Sequence, residues 1–173
     1  MAFPNPDFNS NYYITQAAGG WSPCIEGNDA YGLRPFPGSV LPNCVGYTVG
    51  RFNETLNEGD CTWLGNVNAN MLYALAISQG LSVGDTPIEG GVIVWDDGNE
   101  GHAAFIEGVF DNDTVETSES GWNYTTPPIV TAHIRHRVNG DFVYAAGYTY
   151  LGIIYPPGTG KQNDYYMLWL QNE

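Results

Sequence analysis

Three residues of this 173-residue sequence, Cys44, His102 and Glu119, have the types and neighbours that nucleophilic catalysis needs. Cys44 stands in Leu41-Pro42-Asn43-Cys44-Val45-Gly46-Tyr47. Pro42 restrains Leu41 to extended geometry, so a helix can begin only after it, and Asn43 suits the N-cap of a helix starting at Cys44. The unpaired amides of a first turn carry partial positive charge, which favours thiolate over thiol. Thiolate is the form that attacks a carbonyl carbon.

A sulfur nucleophile needs a base and a group that orients the base. Gly101-His102-Ala103-Ala104-Phe105-Ile106-Glu107 reads as a strand opening on a histidine, with His102, Ala104, Ile106 and Gly108 on one face and Ala103, Phe105 and Glu107 on the other. Counted from a turn centred near Asn112, Glu119 lies seven residues on and His102 ten residues back. A bulge or a loose register would bring the two side chains into diagonal contact across a hairpin. The carboxylate would then hold one imidazole nitrogen and stabilise the protonated ring.

Other polar and aromatic residues are weaker candidates. Trp95 and Trp122 flank these positions in sequence; Trp95 reads as core, whereas Trp122 is a candidate wall of a substrate groove. His133 and His136 are three apart on one strand, hence on opposite faces, which argues against a shared metal. Arg135 and Arg137 share a face and read as surface ion pairs or as contacts for acidic substrate groups.

The elements that must position these residues are legible in part. Residues 1–43 are rich in Asn, Gly, Pro and aromatics without sustained periodicity, and read as a packed arm anchored by Phe3, Phe8, Tyr12, Tyr13, Trp21, Tyr31 and Phe36. Val45, Val49 and Phe52 fall at helical spacing, which predicts a first helix from Cys44 to about Thr55. A second helix is expected after Asn68, closed by Gly80, with Met71, Leu72, Leu75 and Ile77 in the core. Short strands follow at 91–95, 102–110 and 114–117, then at 129–138, 142–144 and 150–155, separated by Asp/Asn/Gly turns. The apolar stretch within residues 159–173 reads as a docked tail, so the chain is expected to form one domain over 1–158 plus that tail.

Composition narrows the class. Twenty-two glycines, twelve tyrosines and eleven prolines favour short strands and turns, hence a mostly β or an α+β fold. Five basic against nineteen acidic residues give a net charge of -14, which disfavours nucleic acid and anionic membrane surfaces as partners. Residues Met1–Asp7 show neither a basic n-region nor a signal-length apolar stretch, and no later segment approaches a membrane span, so synthesis without an export signal is expected. Three cysteines allow at most one disulfide. If Cys24 pairs with Cys61, Cys44 is the thiol left free; the alternative is three reduced cysteines.

Taken together, Asn43-Cys44-Val45-Gly46-Tyr47, Gly90-Gly91-Val92-Ile93-Val94-Trp95, Gly101-His102-Ala103-Ala104-Phe105-Ile106-Glu107 and Thr117-Ser118-Glu119-Ser120-Gly121-Trp122 resemble the CHAP domains, the cysteine, histidine-dependent amidohydrolases/peptidases. The likeness covers about residues 40–125. It implies a papain-like α+β fold, with N-terminal helices, one carrying the nucleophile, packed on an antiparallel sheet. It also implies Cys44 as nucleophile, His102 as general base and then acid, and Glu119 as the histidine's partner. Many members carry asparagine two positions after that acid, where this chain has Gly121, and Asn123 is the nearest substitute. The oxyanion would be held by the Cys44 amide and a side-chain donor, for which Asn43 is the candidate. Some relatives bind calcium through spaced aspartates ahead of the cysteine; Gly38-Ser39-Val40-Leu41-Pro42 lacks them, so no metal or other cofactor is expected.

The resemblance points to a peptidoglycan hydrolase of phage-lysin type, made in the host cytoplasm and released to the wall, or virion-associated; a monomer is the expected state, with the sequence itself leaving oligomerisation open. Two other readings stand beside it: a cysteine peptidase or amidase acting on another peptide, and a catalytically silent wall-binding or phage structural domain.

Overall fold

A computed structural model describes residues 6–8, 10–13, 41–56, 64, 67–121 and 130–159. Trp122, Asn123, Cys24, Cys61, the anchors Phe3, Trp21, Tyr31 and Phe36, and the tail beyond Thr159 lie outside the described residues. Two helices, α1 (Cys44–Leu56) and α2 (Ala69–Ser78), pack on an antiparallel sheet of seven strands: β1 (Val83–Gly84), β2 (Val92–Asp96), β3 (His102–Asp111), β4 (Thr114–Ser120), β5 (Val130–Val138), β6 (Asp141–Phe142) and β7 (Thr149–Ile154). The strand order is β1-β7-β2-β3-β4-β5-β6. This is the expected α+β architecture, with the cysteine-bearing helix at its N-terminal side.

α1 forms where the sequence indicated. Val45, Val49 and Phe52 recur at i, i+4 and i+7, and all three are buried. Together with Leu72 and Ala76 of α2 they pack on Val92, Val94, Ala103 and Phe105 from one face of the sheet. The alternate residues Ile93, Trp95, Ala104 and Ile106 pack in a second cluster with Phe142 and Ile153. Both faces of β2 and the start of β3 are therefore enclosed, which explains their near-continuous apolar sequence.

The second face is covered because the sheet curls. β6 is four places from β2 in the strand order, yet the Trp95 indole N–H donates to the carbonyl of Phe142 at 2.7 Å. Trp95 is fully buried, a core residue as expected.

α2 departs from expectation on its outer side. Leu72 is buried, but Met71 and Ile77 are about half exposed. The helix is apolar on nearly every side, so its composition does not single out a buried face; contact falls along Ala69, Leu72 and Ala76, which share one stripe. Asn68 occupies the N-cap position, but its side chain makes no capping bond. The amide of Asn70 is instead satisfied by the carbonyl of Glu100 at 3.0 Å, from the loop that delivers His102.

Polar bonds fix α1 on β3 and β4. The Arg51 side chain is fully enclosed and grips Glu107 through Nε and Nη2 at 2.9 and 2.8 Å, with Nη1 on Glu54 at 2.7 Å. Ser118 donates to the same Glu107 at 2.6 Å and accepts from the Tyr47 hydroxyl at 2.7 Å. Thr48 donates to the carbonyl of Ala103 at 3.3 Å, one residue from His102. Of the described arm residues, Tyr13 anchors as expected, stacking on Tyr47 with ring centroids 5.8 Å apart.

Candidate active site

Cys44 is the first residue of α1 and only partly buried, so its thiol opens the helix with access from outside. Asn43 caps that helix as expected. Its Oδ1 accepts from the amide of Gly46 at 2.7 Å and its carbonyl from the amide of Tyr47 at 2.9 Å. With Oδ1 committed to the cap, the side-chain NH2 is the end of Asn43 left to donate.

His102 opens β3 after a loop held by one carboxylate. Asp97 Oδ1 accepts from the amides of Asn99, Glu100 and Gly101 at 2.8–2.9 Å. Gly101 has φ +76°, and a Cβ there would lie 2.4 Å from the Trp95 carbonyl oxygen and 2.6 Å from the Asn70 nitrogen. Only glycine fits this approach.

Two irregularities bring Glu119 to His102. β3 and β4 pair Asp111 with Thr114, Val109 with Val115, and Phe105 with Ser118, slipping once between Val109 and Asp111 and again between Ile106 and Gly108. An unbroken ladder from the Asp111 pair would set Glu119 opposite Ile106; after both slips it stands opposite Ala104, about 7 Å nearer the start of β3. A single slip would have turned Glu119 to the helix side; two restore the face it shares with His102. β4 runs to Ser120, three residues beyond expectation, because β5 pairs with it throughout, Glu119 lying opposite Thr131.

The resulting arrangement sets the imidazole between two groups. His102 Nε2 is hydrogen-bonded to Glu119 Oε2, and the Cys44 side chain lies near enough to the ring to favour its charged form. His102 is 6 % exposed. Burial disfavours its charge, but interaction with Cys44 and then with Glu119 overcomes this and carries the pKa from 6.5 up to about 9. Burial likewise opposes ionisation of Glu119, and contact with His102 and Arg135 outweighs it, leaving the carboxyl below its ordinary value.

Sequence reasoning missed the surroundings of this pair. Arg135 is not a surface ion pair: its Nη2 donates to Glu119 Oε1, and its guanidinium lies 4.8 Å from the ring centre of Tyr144 and 5.7 Å from that of Trp95. Tyr144 stacks on the imidazole at 4.1 Å and 21°. His133 Nε2 lies 3.5 Å from Glu119 Oε1, while His136 points to Thr114 on the opposite face. Glu119, Arg135, Tyr144 and His133, with Ser120 and Thr131, line a pocket of about 260 Å³ beside His102. The available signal was alternation along β5, which sets Thr131, His133 and Arg135 on the face that Glu119 occupies on β4. Among the described residues no group of three or more His, Cys, Asp or Glu side chains is arranged to hold a metal ion.

Residues 35–121, just over half of the chain, match the CHAP domain family. A Streptococcus mutans serotype c protein bearing a provisional hydrolase name is 35% identical over 81 residues, covering 40% of this chain and 37% of that protein. The chain thus spans little more than a third of that relative. The crystal structure of an N-acetylmuramoyl-L-alanine amidase from Staphylococcus aureus superposes with a TM-score of 0.45 at 21% identity, over 64% of this chain and 30% of that one.

Proposed function

This chain belongs to the CHAP domain family, and from that premise we propose that it hydrolyses an amide bond of bacterial peptidoglycan with Cys44 as nucleophile, His102 as proton carrier and Glu119 as its orienter. The observation that carries the reading is one buried imidazole bonded to a carboxylate, with the thiol of a helix start near enough to raise its pKa. A histidine whose charged form is favoured well above neutral pH, next to a sulfur, suits an ion pair of imidazolium and thiolate.

In the first half-reaction the Cys44 sulfur adds to the amide carbonyl carbon. The oxyanion so formed is held by the Cys44 backbone N–H and by the NH2 of Asn43. His102 passes its Nδ1 proton to the leaving nitrogen, the C–N bond breaks, and a thioester remains on Cys44. In the second half His102 takes a proton from water, hydroxide adds to the thioester, and the carboxylic acid leaves as the thiol is restored. Glu119 stays ionised throughout, bonded to Nε2–H, and stabilises the imidazolium whenever it forms.

The test is clearing of a bacterial wall suspension by wild type, Cys44→Ala and Cys44→Ser, with mass analysis of released fragments. Both variants are expected to lose activity by about three orders of magnitude or more while keeping the fold. Lactyl ends freed of alanine would identify an amidase, and new stem or bridge amines an endopeptidase. Equal clearing by wild type and Cys44→Ala would remove the enzymatic reading, and walls left intact but still bound would favour a binding domain.

A further inference from the structure

Glu119 is held at both oxygens, and only one of them serves His102. Oε2 meets the imidazole; Oε1 meets the guanidinium of Arg135, which comes from β5 on the far side of β4. A carboxylate bonded on one side turns easily about its last torsion. A second donor on the other oxygen removes that freedom. Arg135 does not lose its proton in a protein, so the carboxylate it grips stays an acceptor and does not take the imidazolium proton for itself.

The guanidinium reaches the imidazole by a second route as well. Tyr144 lies flat on His102 at 4.1 Å and is packed by Arg135 at 4.8 Å, while Arg135 Nη1 lies 3.5 Å from the Tyr144 carbonyl oxygen. The Arg135 side chain is only 12 % exposed. An ion pair serving only solubility would remain solvated, and enclosing this one costs desolvation that an exposed pair avoids.

We propose that Arg135 is a positioning residue of this site: it pins the second oxygen of Glu119 and braces Tyr144 against the imidazole, so that His102 faces Cys44 in one tilt and one tautomer. The inference rests on the reading of Cys44 and His102 as a working pair. The groups follow one another from helix to sheet: sulfur on α1, imidazole on β3, carboxylate on β4, guanidinium on β5. The other titratable groups near the ring are His133 on β5, Tyr144 and Tyr148 on the loop before β7, and Asp97 on the loop before β3.

The test follows alkylation of Cys44 by chloroacetamide against pH in the full chain, read at the Cys44 peptide by mass analysis, for wild type, Arg135→Gln, Arg135→Lys and Tyr144→Leu. Wild type is expected to react at a plateau well below the ordinary thiol limb near about pH 8.5. Removing a nearby cation raises the pKa of its neighbours, so Arg135→Gln should move the histidine-linked step upward by about one unit and lower the plateau several-fold. Arg135→Lys keeps the charge and should restore the step, though not the whole plateau. Tyr144→Leu should lower the plateau with the step unmoved.

A wild-type profile with only the ordinary limb would overturn the Cys44–His102 reading itself. A paired wild-type profile overlaid by Arg135→Gln would overturn the role of Arg135 alone, and a step displaced equally in Arg135→Lys would refute the charge account. Should Arg135→Gln fail to fold, Arg135→Lys and Tyr144→Leu decide it: both overlaying wild type in rate and step would overturn the proposal.

Discussion

Replacing Glu119 by Gln keeps volume and removes one charge. Glu119 is 4 % exposed, and its carboxylate accepts from His102 and Arg135 at once. An amide has one acceptor oxygen, so it must turn its NH2 toward one of those two donors. The pKa of His102, carried from 6.5 up to about 9, represents roughly 3 kcal/mol in favour of the imidazolium. That preference is built by Cys44 and Glu119 together against burial, and loss of a bonded carboxylate lowers such a pKa by about one to three units. At pH 8 a drop of about two units, the middle of that range, would take the protonated fraction from roughly nine-tenths to about one-tenth, a loss near tenfold before any loss of orientation. Stability changes in the same sense. A folded pKa raised above the unfolded value contributes stability that is complete below pH 6.5 and is lost as pH rises through about 9, so wild type should weaken across that window and Glu119→Gln should show a flatter trace. The assay pairs pH–rate profiles of wall clearing with urea unfolding at matched pH. An alkaline limb and a stability profile in Glu119→Gln that superimpose on those of wild type would refute the coupling.

Gly101→Ala should destabilise by about 2 kcal/mol or more, since it combines positive φ with a Cβ 2.4 Å from the Trp95 carbonyl, and should depress activity through displacement of His102; urea titration and wall clearing measure the two effects. Arg51→Ala leaves Glu107 and Glu54 beside an enclosed gap and should cost about 3–5 kcal/mol in the same titration. Asn43→Ala removes the cap of α1, with an expected loss of about 1 kcal/mol, and a larger proportional loss in kcat than in KM would mark its NH2 as an oxyanion donor.

Local chemistry explains which parts of this site were legible in the sequence. Pro42, Asn43 and the spacing of Val45, Val49 and Phe52 define the start of α1 within a few residues, and the structure has that helix starting at Cys44 with Asn43 as its cap. Glu119 was within reach of His102 by counting across one short turn, although the number of slips was not readable. Arg135 was out of reach for a different reason. Its partner is fixed by the register of β5 on β4, and the segment joining those strands carries no two-residue turn signal from which a register could be counted. Arg51 escaped notice because a basic residue in an amphipathic helix reads as solvated, and its enclosure depends on Glu107, fifty-six positions away. Met71 and Ile77 read as core from sequence because hydrophobicity alone carries no direction on a short helix that is apolar nearly all round.

The paired slips in the β3–β4 hairpin bear on how this segment can be edited or aligned with its relatives. Side chains along a strand alternate with a period of two, so an odd change in residue count on either arm would send the acid toward α1, whereas an even change would keep its outlook and alter only its reach. Phe110 sits at one slip and is 64 % exposed, which makes its excision look harmless by burial. Parity, more than residue identity, is the constraint that this hairpin would impose on insertions and deletions.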